Sequence, residues 1–148
     1  MLKVLFLYLL LSTCSSSLLA QADSIKYKIV IHKTSAPINS EVFVEITQDS
    51  LLVMLVDTTH HIQVSQKSRA KITSLVLSLD LNKLEEIYWN KKSRDKSICI
   101  FDITIGNQKK FISVYHQKVI VLYELIKEIN QVLPKQFSIG YDKSYFDN

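Results

Sequence analysis

Disulfides cannot hold this protein together. Only two cysteines occur in 148 residues, and Cys14 lies in a leader-like N-terminal stretch whose removal leaves Cys99 without a partner. Glycine and proline are equally scarce, two of each, which excludes collagen-like, low-complexity and linker-rich organisation. The few breakers therefore carry positional information: Pro37 and Gly106 separate apolar runs and Pro134 follows one. Charge is also thin, with 18 basic against 14 acidic residues and a net charge of +4. That imbalance is too small and too dispersed for a nucleic-acid partner. No run of the ~20 apolar residues that a membrane-spanning helix needs is present.

What the N-terminus does contain is ordered. Lys3 precedes an apolar stretch over residues 4–11, and a serine-rich stretch follows, ending in Ala20, Gln21 and Ala22. Export machinery and signal peptidase read that order, with the small side chains of Ala20 and Ala22 filling the peptidase pocket. Residues 1–22 are thus expected to be a cleaved leader with Asp23 as the mature first residue, which places the protein in a secreted or periplasmic compartment. Leu11-Ser12-Thr13-Cys14 loosely matches the lipobox of acylated proteins, so a lipid anchor at Cys14 on the cell envelope is the alternative. The remainder is long enough to bury roughly two-thirds of its unfolded surface in one core.

Along that remainder, Ile25, Tyr27, Ile29 and Ile31 alternate with Lys26, Lys28 and His32 as a strand with one wet face. Val42, Val44 and Ile46 make a second strand, and Gln48-Asp49-Ser50 suits a hairpin turn. Residues 51–56 are apolar throughout, predicting a central strand covered on both sides. Residues 57–61 read as polar loop, and 62–65 as a brief strand. Over residues 66–79 strand and helix patterns compete; the absence of breakers and a stripe continuing through Leu81, Leu84 and Ile87 favour helix. Residues 98–105 and 110–116 form a hairpin around Gly106-Asn107. Leu122, Leu125, Ile126, Ile129 and Leu133 stripe a final helix over residues 119–133, stopped by Pro134. The expected fold is α+β, an antiparallel sheet of about five strands with two helices on one face, in the order β-β-β-α-β-β-α. It forms one domain over residues 23–134, with a tail over 135–148 whose Phe137, Tyr141, Tyr145 and Phe146 either pin it to the domain, the favoured reading, or form an exposed sticky strip.

Leu79-Asp80-Leu81, then Asp95, then Phe111-Ile112-Ser113 with Tyr115-His116, then the stripe from Leu122 to Ile129 resemble a family of small secreted or lipoprotein-type proteins of Bacteroidota. Gln117, Lys118, Val119 and Ile120 stand where that family has a glycine and paired prolines. The resemblance covers residues 75–129 and implies the same strand and helix order. At that coarse level the chain is also similar to small proteinaceous inhibitors of thermolysin-type metallopeptidases.

Residues that could carry chemistry are few. His32, His60, His61 and His116 lack the compact spacing of zinc ligands, and adjacent His60 and His61 point to opposite sides of an extended chain. Cys99 shares a strand face with Phe101, Ile103 and Ile105, which reads as an inert buried thiol. Asp102 and His116 lie on strands expected to pair and, with Asp95, are the candidates for an acid–base group. Charge partners on a wet sheet surface account for them equally. Neither cofactor nor metal is implied. The chain reads as a non-catalytic binding or interaction module whose partner is a protein or an anionic envelope glycan. An inhibitor of an extracellular peptidase, and an enzyme built around Asp102 and His116, are the alternatives.

Overall fold

A computed structural model describes residues 25–34, 41–90 and 98–141. Seven strands form a single sheet: β1 (Tyr27–Thr34), β2 (Val42–Thr47), β3 (Leu51–Met54), β4 (Thr59–His61), β5 (Ile87–Trp89), β6 (Ile98–Ile105) and β7 (Gln108–Tyr115). Their spatial order is β4-β3-β2-β1-β6-β7-β5. All neighbours run antiparallel except β5, which pairs parallel with β7 through Ile87↔Ser113 and Trp89↔Tyr115. Two helices, α1 (Gln66–Leu77) and α2 (Ile120–Val132), complete the α+β fold.

Period-two alternation puts Tyr27, Ile29 and Ile31 of β1 on one sheet face, level with Val44 and Ile46, Phe101 and Ile103, and Ile112 and Val114 of the other strands. All of these are buried. Ile72 and Val76 of α1 and Leu122, Leu125, Ile126 and Ile129 of α2 join the same core, so both helices cover this face. The Tyr27 hydroxyl bonds Thr73 Oγ1 at 2.9 Å, tying β1 to α1. Ser65 caps α1 by accepting from the Ser68 amide at 3.2 Å. The turn between β2 and β3 is closed by Thr47, whose hydroxyl accepts from the amides of Ser50 and Asp49. At the β6–β7 hairpin Gly106 has φ 56, the left-handed backbone that a two-residue turn demands.

Several expectations need correction. The sheet has seven strands, not about five, and is mixed rather than wholly antiparallel. The stripe through Ile87 is not helical: α1 stops at Leu77, Leu81–Lys83 is a single 3-10 turn, and Ile87 opens β5. The short strand after β3 falls at Thr59–His61, in the stretch read as loop, and residues 62–65 are not strand. Strand β3 ends at Met54 and sits next to the sheet edge, with Leu51 and Val53 buried and Leu52 and Met54 half-buried. Residues 98–105 and the final helix lie where the pattern places them. The described part of the tail is pinned to the domain, as favoured, with Tyr141 and Ile139 in the core. The leader, including Cys14, Ala20 and Ala22, lies outside the described residues, as does Asp95.

Candidate functional site

Among the described residues both helices pack on the first face and leave the second bare, and that second face is not polar. Its register gives two rows across the strands. One reads Leu52, Glu45, Val30, Asp102, Phe111, and the next reads Met54, Phe43, His32, Ile100, Ser113, Ile87. Trp89 and Tyr115 pair beyond the second row, with rings 6.3 Å apart. None of these side chains packs against the core beneath the helices. Trp89, Ile87 and Phe111 are 63%, 61% and 54% exposed, whereas solvated sheet faces normally alternate to polar residues. Ser113, the smallest side chain of its row, lies between Ile87 and Ile100.

Ion pairs frame the apolar region at one end. Lys28 Nζ lies 2.8 Å from Glu45 on β2, and Lys109 Nζ lies 3.0 Å from Asp102 on β6. In the second row the His32 ring stacks on Phe43 at 4.1 Å with an interplanar angle of 10°. Its Nε2 is buried without a hydrogen bond, the Glu41 carboxylate standing off at 4.0 Å.

The residues marked by sequence scatter. Asp102 lies on the bare face, paired with Lys109 and opposite Phe111. His116 follows the end of β7, with φ 48 and 3% exposure, on the side of buried Ile112 and Val114. Asp102 and His116 therefore occupy opposite faces and different ends of the hairpin, and no acid–base pair forms between them. His60 contacts the Phe137 ring at 4.8 Å on the helix side, while His61 pairs with Leu52 on the bare side. Among the described residues no cluster of three histidine, cysteine or carboxylate side chains could hold a metal ion. Burial pushes the Cys99 thiol up to about 12, despite the opposing pull of Lys33, so it stays protonated and unreactive at neutral pH. Lys71 is held by Glu128 and Arg69 by the Gln48 carbonyl, so these two cations serve the fold. A broad open cleft of ≈ 1040 Å³ runs beside α1, lined by Lys26, Asp49, Arg69 and Thr73 among others, with neither histidine nor cysteine.

Sequence reasoning missed Ile87, Trp89, Phe111 and Tyr115 as one surface. A signal was present: residues 98–101 and 111–115 carry apolar side chains at both parities, the pattern of a strand covered twice.

No family model, no curated protein and no solved structure matches the chain. Among the described residues no helix is long and apolar enough to cross a membrane.

Proposed function

We propose that this protein is an exported, non-catalytic interaction module that works through the bare face of its sheet. The carrying observation is the contiguous apolar surface of Ile87, Trp89, Phe111 and Tyr115, extended across the sheet by Ile100, Phe43 and Met54. Exposed apolar surface on this scale marks an interaction site on a folded protein. The ion pairs at its border resemble the polar rim of an interface around an apolar centre. Export rests on the leader expected over residues 1–22. The enzyme reading has no comparable support, because Asp102 and His116 are not brought together.

Two measurements test this. N-terminal mass spectrometry of the exported material is expected to find Asp23 first; an acylated Cys14 would move the module to a lipid anchor, and an intact leader in cytosolic material would overturn export. Trp89→Asp combined with Phe111→Asp is expected to abolish binding partners that the native protein retains, while Lys67→Asp on the exposed side of α1 leaves them in place. Equal behaviour of the two variants would remove the bare face from the function.

A further inference from the structure

The open cleft beside α1 shares no residue with the apolar surface of Ile87, Trp89, Phe111 and Tyr115. We infer that it binds an acidic oligosaccharide, taking a sugar carboxylate on Arg69 and Lys26 and sugar hydroxyls on Asp49 and the polar wall of α1. The cleft, of ≈ 1040 Å³, opens between α1, the β2–β3 turn and the residue that enters β1. Ligand sites occupy about 300–1,000 Å³, so there is room for several sugar units.

The charges of the lining carry the inference. Lys26, Asp49 and Arg69 all face this space, and the fields of Arg69 and Asp49 both act on the Tyr27 hydroxyl. Yet among the described residues none of the three enters an ion pair. Elsewhere opposite charges close to contact, Lys28 with Glu45 at 2.8 Å, Lys109 with Asp102 at 3.0 Å and Lys71 with Glu128 at 2.6 Å. In the cleft each charge is anchored separately. The Arg69 guanidinium donates from Nη1 to the Gln48 carbonyl at 2.9 Å, which fixes it against the β2–β3 turn. Asp49 belongs to that same turn, its amide held by the Thr47 hydroxyl at 3.3 Å. The bond to Gln48 uses one of the five guanidinium N–H groups. The others are left for a carboxylate, whose two oxygens match the planar fork.

The long wall decides what kind of molecule bears that carboxylate. Arg69, Thr73 and Leu77 lie in one row along α1, with Gln66, Ser74 and Ser78 beside them. From Gln66 to Ser78 the wall runs roughly 18 Å at 1.5 Å per residue, which suits an elongated ligand. An extended peptide needs a free strand edge, or apolar pockets for its side chains. Here the helix backbone is bonded within itself, and Ala70 and Leu77 are the only apolar side chains of the lining. A peptide finds neither feature. An oligosaccharide asks for the opposite, amide and hydroxyl groups at short intervals and an unpaired carboxylate that accepts its O–H groups. Two cations against one carboxylate then favour a sugar acid over a neutral sugar.

Isothermal titration calorimetry of the purified protein with tetragalacturonate tests the site, against the same tetrasaccharide with its carboxylates methyl-esterified. The acid is expected to bind saturably and the ester about tenfold or more weakly, because the charge-assisted bonds to Arg69 and Lys26 are lost. Arg69→Gln is expected to weaken the acid by a similar factor, and Lys26→Gln and Asp49→Asn by several-fold each. Trp89→Asp on the bare sheet face leaves the titration unchanged. Circular dichroism establishes that each variant is folded; should Arg69→Gln unfold, Lys26→Gln and Asp49→Asn decide, since their side chains enter no ion pair among the described residues. A native protein that shows no saturable binding overturns the site. So does equal binding of the ester, or binding indifferent to Lys26→Gln and Asp49→Asn. Complete displacement by inorganic sulfate shows attraction of charge without recognition of the sugar, and overturns it as well. Partners of the bare face are absent from these titrations, so the cleft and the face fail independently.

Discussion

Cys99 shows how one side chain sets the response of the fold to alkali. It has no exposed surface and pairs in register with Lys33 on one side and Val114 on the other. Desolvation holds its thiol protonated up to about 12, against an ordinary value of 9.0. An unfolded chain releases that proton near pH 9 while the folded chain keeps it. The native state then binds more protons, and stability falls as pH rises from 9 toward 12, at about 1 kcal/mol per pH unit. Burial raises Tyr27 in the same sense, which adds to the loss above pH 10. Cys99→Val, of similar volume, is expected to flatten the alkaline decline without lowering stability at neutral pH by more than about 1.5 kcal/mol. Urea titrations at neutral and alkaline pH compare the two proteins. The inertness of this thiol was legible in the sequence, because Phe101 and Ile103 share its strand parity. The separation of Asp102 from His116 was not: it depends on where the hairpin ends and on which face each side chain takes beyond it.

At the scale of elements, α1 and α2 are joined by a contact that no periodicity announces. Lys71 Nζ lies 2.6 Å from Glu128 Oε1, whose side chain is 10% exposed and also accepts from Gln131. Removing the cation alone leaves a nearly buried carboxylate, so Lys71→Met is expected to cost about 1.5–3 kcal/mol. The double variant Lys71→Met with Glu128→Leu, which replaces both charges by apolar groups, is expected to recover most of that loss. Chemical denaturation of the full cycle measures the coupling. The same scale explains which elements could be read. Strands β1, β2 and β6 carry a buried set at every second residue, and α2 carries a stripe at helical spacing, so short windows suffice. Strand β4 has three exposed residues, Thr59, His60 and His61, and offers no pattern at all. Strand β5 is three residues long and owes its conformation to β7, more than twenty positions away. The bare face was hidden for the same reason, since Trp89 and Tyr115 meet only once β5 is known to flank β7.

Over the whole molecule, closure depends on Tyr141. Its hydroxyl donates to the Gln117 carbonyl at 2.8 Å and accepts from the Val119 amide at 3.1 Å, bonding the chain after α2 to the residues that start it. Asn130 fixes the intervening segment through paired bonds with Ile139 of 2.8 and 2.9 Å. Tyr141→Phe keeps the ring against Phe101 but leaves a buried amide and a carbonyl without that partner. It is expected to cost about 1–3 kcal/mol, read from the midpoint of thermal or urea unfolding.

The parallel border of the sheet sets an order of assembly. Residues 87–89 are synthesised before the hairpin on which they rest, so one margin of the molecule stays open until Tyr115 has been added. Until then Trp89 and Ile87 hang from an unfinished edge, and the apolar surface they share with Phe111 and Tyr115 has not yet formed.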